Sequence, residues 1–396
     1  MTKFSTQYSK PLMIAVALST SIMIGSPALN ASVGSSLPET IDIERYGGKR
    51  GDAIFKIHQT DAVQYGADFI ASIRDARDVT QDDVKKLISD LAKRRGNAAE
   101  KANSESADQF GKRRGFQNAE ALFQCHVTGL TEPRVHMRTE VAKTMKRALT
   151  AIMNGEPGTR YVEADSRYVY QVGPVRVEFL PPNQSYPRSD EQMTTIKLAA
   201  MLGDKDAMEL VIENMLIKHM FGNARGDAER FINLVEEDRC VTAKLTYFAN
   251  RNGKQIPLTT FMTAFEKAND TLTGLSPETL EEIGTTTVMG ALHTESKDIS
   301  TLEEVAHVFA LKAINWDGGN PATLHTSIAI LRYYLSHAMP FERGSAAITN
   351  WIVGSILKSH GLQENAGDWG PIDDYSMGMP FTDFLSAYKE NVTVDK

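Results

Sequence analysis

The residues with the most chemical potential inside one short reach are His337, Glu342, Arg343 and the run Gly344-Ser345-Ala346-Ala347. Histidine is the side chain whose ordinary pKa suits proton transfer near neutrality. Glu342 adds a second acid–base group. Gly344 to Ala347 has the composition of a helix start. The first N–H groups of a helix lack intrahelical acceptors, and with the helix dipole they favour an anion. Small side chains let a phosphate or carboxylate approach that backbone, and Arg343 adds positive charge. The pattern points to catalysis by His337 and Glu342 beside a phosphate seat at Arg343, Gly344, Ser345 and Ala346. Structural alternatives stand beside this. Small residues at a helix start also allow tight helix packing, and a histidine ending an apolar helix also serves as a dipole partner or a packed core residue.

Other chemistry is thin. His219 has no HExxH partner, so zinc is not indicated, and no Gly-x-Ser-x-Gly elbow, P-loop or dinucleotide fingerprint is present. No metal site is assigned, and the sequence leaves the cofactor unknown. The acidic pairs Asp82-Asp83 and Asp373-Asp374 lack identifiable partners. His325 and Arg332 share a helix face, lining either a groove or its solvated side.

The elements that must position the 337–347 stretch follow from local signals. Asp317-Gly318-Gly319-Asn320-Pro321 is a break that opens an apolar helix running to Ala338. Pro340-Phe341 is a tight turn, and a second helix runs from Gly344 through Trp351 toward Leu362. Upstream, the apolar spacing predicts a helix over 54–77, and Thr80 with Asp83 forms a capping-box start for another. Ser300-Thr301-Leu302-Glu303 has the same signature. Ser276-Pro277-Glu278 reads as a further helix start, and helices are expected across 190–236. The segment 160–180 is rich in β-branched and aromatic residues and is broken by Gly173-Pro174, so it reads as a β-hairpin. The stretches 241–248 and 256–261 flank Asn252-Gly253 and form either a second hairpin or two helix fragments. Two basic runs, Lys93-Arg94-Arg95-Gly96 and Lys112-Arg113-Arg114-Gly115, bracket a polar stretch. They read either as a patch for an anionic partner or as a solvated linker or exposed helix.

The turn resembles the Fic (filamentation-induced-by-cAMP) family. Pro340-Phe341-Glu342-Arg343-Gly344-Ser345-Ala346-Ala347 stands where those proteins carry His-Pro-Phe-x-Asp/Glu-Gly-Asn-Gly, followed by an arginine. The flanking apolar helices match without a gap, and the 160–180 hairpin is similar to the flap Fic proteins place over the nucleotide, though it lies further upstream. The departures fall on the chemistry. Met339 stands at the general-base histidine, Arg343 at the acidic metal ligand, Ser345 at the asparagine and Ala347 at the phosphate-binding arginine. The resemblance implies a Fido-like scaffold without the family's AMP-transfer chemistry, for which AvrB-type bacterial effectors are a precedent. It implies a nucleotide or nucleotide-sugar ligand and a host-protein partner, with His337 as the candidate replacement base.

The chain has 396 residues, 42% hydrophobic, and a net charge of −7. That is ample for a buried core, and it gives no argument for nucleic acid. Lys3 and Lys10 precede an apolar run at 12–25, followed by Ser26-Pro27-Ala28-Leu29-Asn30-Ala31. This is the layout of a secretory signal peptide, and the run falls short of the roughly 20 residues a membrane span needs. The expected product is secreted or periplasmic, with no span left after removal of 1–31. In that compartment Cys125 and Cys240 either pair or stay free. The expected class is mainly α (α+β): a signal segment over 1–31, an N-terminal helical region over 32–120, and a helical domain over 121–396 carrying one small hairpin. The expected function is a secreted Fido-like effector or toxin, either a non-standard group transferase or a pseudoenzyme binding a phosphate-bearing ligand. The alternative is a non-enzymatic helical interaction protein whose Pro-Phe turn is structural.

Overall fold

The computed structural model describes residues 50–102, 104, 107–114, 127–129, 135–156, 159–164, 167–179, 240–251, 253–266, 288–369 and 371–395. The expected signal segment, the helices expected across 190–236 and from Ser276, and Cys125 with its pairing lie outside these residues. All described residues belong to one unit, Ile43–Lys396.

The class is mainly helical with antiparallel β structure, as the sequence predicts. The helices are α1 (Arg50–Ala76), α2 (Gln81–Lys101), α3 (Val135–Asn154), α4 (Ser296–Ile314), α5 (Pro321–Ala338), α6 (Ser345–Ser359), α7 (Ile372–Gly378) and α8 (Phe381–Asn391). The strands are β1 (Val127–Gly129), β2 (Thr159–Ala164), β3 (Arg167–Val172), β4 (Val175–Phe179), β5 (Cys240–Arg251), β6 (Lys254–Glu266), β7 (Val288–Leu292), β8 (Gln363–Asn365) and β9 (Thr393–Asp395). The first seven form one antiparallel sheet in the order β1-β7-β6-β5-β4-β3-β2, and β8 pairs with β9. The 160–180 hairpin is present as β2–β4 within a larger sheet. The choice at Asn252-Gly253 resolves as a long hairpin, β5–β6.

α5 is the centre. Twelve of its residues are buried, including Ile328 to Tyr333 and Leu335 to Ala338. A helix apolar on nearly every side belongs inside a fold, and here α4, α6, α7, α8 and β6 surround it. Asn320 caps its start by accepting from the Ala322 N–H, with Pro321 in the first turn. The sheet turns Val175, Val177 and Phe179 of β4, and Ala243, Leu245 and Tyr247 of β5, into the same core. A bulge between the Thr246 and Phe248 pairings sets Leu258 and Thr259 of β6 against the single residue Tyr247. Both residues opposite Tyr247 are buried, which is how a bulge re-aims a side chain.

α6 is fixed by α1. A Cβ on Gly66 would stand 2.1 Å from Ser355 Oγ, so the two helices cross where only glycine fits. Ser355 Oγ also donates to Val63 O at 3.3 Å. α2 begins as expected: Thr80 accepts from the Asp83 N–H and Asp83 returns a bond to the Thr80 N–H. The Ser300 signature is not used. α4 starts at Ser296, one turn earlier, with Glu295 as N-cap and no side-chain cap, so Ser300 to Glu303 lie inside the helix. Among the described residues no helix is long and apolar enough to cross a membrane.

Candidate anion seat at the α5–α6 corner

The corner lies between two left-handed residues. Met339 ends α5 at φ 41° and ψ 58°, and Gly344 begins α6 at φ 86° and ψ 7°. Glycine is suited to this conformation. The space at 344 is also filled, since a Cβ there would meet Arg95 Cγ at 3.0 Å and Phe110 Cδ1 at 3.3 Å.

Three corner N–H groups have acceptors. Phe341 donates to Ser345 Oγ at 3.1 Å, Glu342 to Lys112 O at 2.8 Å and Arg343 to Gln109 O at 3.2 Å. Beyond them, no protein acceptor among the described residues meets the N–H groups of Gly344, Ser345, Ala346 or Ala347, and α6 has no side-chain cap. Ser345 is buried, whereas Ala346 and Ala347 are half-buried. The Arg343 and Arg95 guanidiniums lie over one ring, Phe110, at 5.4 and 4.4 Å. Arg95 is 9% exposed, and burial brings its pKa down to about 10. Uncapped N–H groups beside two guanidiniums attract phosphate or carboxylate.

The other wall is a strap, residues 107–114. It pairs with the corner through Gly111 N–H to Arg343 O at 3.1 Å and Arg114 N–H to Pro340 O at 3.0 Å, besides the two bonds it accepts. Arg114, 8% exposed, donates to Ala338 O at 3.3 Å, Met339 O at 3.2 Å and Thr294 O at 2.9 Å. Arg113 pairs with Glu303 and lies 5.0 Å over the Phe341 ring.

The candidate residues separate. Arg343, Gly344, Ser345 and Ala346 stand together at the helix start. Glu342 turns to the strap, 3.4 Å from Lys112 Nζ. His337 is fully buried, its Nδ1 3.0 Å from Thr259 Oγ1 and its ring against Tyr333 and Tyr247. Burial brings it down to about 3, so it is neutral near pH 7 and faces the core. His325 and Arg332 do not line a common groove. His325 Nε2 lies 2.9 Å from Val392 O. Arg332, buried, is held by both carboxylate oxygens of Glu364 and by Asn350 Oδ1 at 2.6 Å, with Asp373 at 3.6 Å. Within the pair Asp373-Asp374, Asp373 thereby has Arg332 beside it and also accepts from Ser336 Oγ and Asn350 Nδ2, each at 3.4 Å. Among the described residues no group of three or more His, Cys, Asp or Glu is placed to hold a metal ion.

Arg95, Phe110 and Arg114 had no local signal as site residues. Their trace in the sequence is the repeated Lys-Arg-Arg-Gly, whose third basic residue is buried in both copies, Arg95 and Arg114. The first two basic residues of each run are exposed, Lys93 and Arg94 on the helix α2 and Lys112 and Arg113 on the strap, so the exposed-helix reading holds for the first run apart from its buried Arg95.

Residues 213–394 match the family model AvrB_AvrC, avirulence protein. Over that stretch, which carries β5 to β7, α4 to α8 and the whole corner, the chain is similar to that family. The strap, α1 to α3 and β1 to β4 lie outside the matched residues. No curated protein matches the chain.

Proposed function

We propose that this protein is a secreted effector of the avirulence type that holds a phosphate-bearing ligand, a nucleotide or nucleotide sugar, at the start of α6. The reading places it on a Fido-like scaffold stripped of AMP-transfer chemistry, acting on a host-protein partner. The observation that carries it is the set of N–H groups at Gly344–Ala347 that meet no acceptor among the described residues, beside Arg343 and Arg95. A burial-neutral His337 inside the core and a Glu342 paired with Lys112 favour binding over group transfer. The similarity of 213–394 to avirulence proteins supports the effector role, and the signal-like segment at 1–31 supports export.

Thermal-shift titration with inorganic phosphate, nucleotides and nucleotide sugars tests this. A raised melting temperature that Arg343→Ala abolishes is the expected result. No shift with any of them, or a shift indifferent to Arg343→Ala, removes the seat. A second reading, a non-enzymatic interaction protein whose corner is a packing joint, is favoured by the strap's pairing and the burial of Phe341 and Ser345. It predicts the flat titration.

A further inference from the structure

We infer that Arg114 is the positioning residue of the corner, so that docking of the strap decides whether α6 begins where the seat requires. The inference begins with Met339. It is the one non-glycine residue with positive φ among the described residues. Such a conformation in a residue with a longer side chain persists only where its surroundings enforce it.

The enforcing contacts come from one side chain. The last carbonyls of a helix have no intrahelical donors. At the end of α5 the Arg114 guanidinium supplies donors to two consecutive ones, Ala338 O and Met339 O, while its backbone N–H takes the next carbonyl, Pro340 O. The same guanidinium reaches Thr294 O in the turn between β7 and α4. A planar fork with five donors can span three carbonyls from two segments, and a lysine ammonium on a flexible stem cannot hold that geometry. Arg114 thus pins Met339 between the strap and the β7–α4 turn. Pro340 and Phe341 follow from that direction, and Ser345 then sits where its Oγ accepts the Phe341 N–H and donates to Phe341 O. Release of the strap would free the 338 and 339 carbonyls, let Met339 leave the left-handed region, and shift the start of α6.

This places control of the corner in a segment upstream of the residues similar to avirulence proteins. It rests on the proposed ligand reading only for its consequence, loss of the seat. The positioning itself is tested without ligand.

Hydrogen exchange resolved at single amides gives that test. In Arg114→Lys, the Phe341, Glu342 and Arg343 amides, bonded in the native corner, should exchange faster by on the order of tenfold or more, while amides in the interior of α5 and α6 keep their protection. Met339→Gly in that background should restore protection, because glycine holds positive φ unaided. A variant that merely lost stability would exchange faster everywhere and gain nothing specific from glycine at 339. Should Arg114→Lys fail to fold, Met339→Ile reads the same coupling from the other end: a β-branched residue opposes positive φ and should expose the Gly111 and Arg114 amides with Arg114 intact. Unchanged corner amides in Arg114→Lys, no restoration by Met339→Gly, or an undisturbed strap in Met339→Ile would overturn the inference. Phosphate titration of the wild-type protein runs alongside. A flat titration with coupled amides overturns the ligand reading alone, and a normal titration with uncoupled amides overturns the positioning role alone.

Discussion

At the start of α2 the chain supplies its own anion. Thr80 and Asp83 exchange capping bonds, and the Asp83 carboxylate also takes both Arg77 guanidinium nitrogens at 2.7 Å. Those bonds, Arg77 first and then Thr80, hold its pKa far below the usual carboxylate range. At the start of α6 there is glycine in place of Thr80, alanine at 347 in place of Asp83, and no acidic residue in the first turn. Both ends begin with N–H groups that have no intrahelical acceptor and with the same dipole, and both have guanidiniums nearby. One end holds acidic side chains in its first turn and the other holds none. The buried Arg332 belongs with α2, since Glu364 and Asp373 come from within the chain.

The difference between a helix start with an acidic side chain in its first turn and one without can be broken from either side. Removing a supplied anion should hurt most. Glu364→Ala leaves Arg332 buried without its bidentate partner and should cost about 3–5 kcal/mol in urea unfolding.

Acid should separate the stability of the fold from the charge of the seat. His337 and His307 stand at about 3 and about 4 in the folded chain, both lowered first by burial, with Arg113 and Lys85 adding repulsion at His307. Between those values and the ordinary 6.5 the unfolded chain binds more protons, so stability is complete above pH 6.5 and falls as pH drops. At pH 5 the loss should be about 2 kcal/mol per histidine, reduced in His307→Phe, while the arginines at the corner stay charged.

Gly344→Ala, forced to positive φ against Arg95, should cost about 1–3 kcal/mol. Thr80→Ala should cost about 1 kcal/mol and leave phosphate binding untouched. The smallest change is the most telling. Ala347→Glu puts an anion into the first turn of α6 and should gain about 0.3–1 kcal/mol while reducing the phosphate-dependent thermal shift. A variant that binds phosphate as before would show that the two helix starts do not differ in the way described.

What was legible in the sequence is what local chemistry decides. Thr80 and Asp83 sit three residues apart and make their bonds regardless of the rest of the fold. Asn320-Pro321 opens α5, and Gly173-Pro174 joins β3 to β4, for equally local reasons. Ser300-Thr301-Leu302-Glu303 shows the limit of such signals. The same residue types lie inside α4, because packing of α4 on α5 extends the helix past an available cap. Arg95 and Arg114 were invisible for the opposite reason. A Lys-Arg-Arg run is a surface signal in isolation, and what buries Arg114 is three carbonyls between 180 and 225 positions away. His337 was misleading because its type suggests proton transfer, whereas the partner that fixes it, Thr259, arrives through a bulge in a strand 78 residues upstream.

The seven-stranded sheet interleaves the chain. β5, β6 and β7 come from the stretch similar to avirulence proteins, and upstream strands close on both sides of them, β1 beside β7 and β4 beside β5. During synthesis the early strands therefore emerge with no neighbours in this sheet except each other. β1 meets its neighbour, and β4 its second one, only once β5 to β7 are made, and the strap's partner, the corner, follows later still. Pairings so distant along the chain form slowly, so the sheet and the corner can close only after the stretch similar to avirulence proteins has been made.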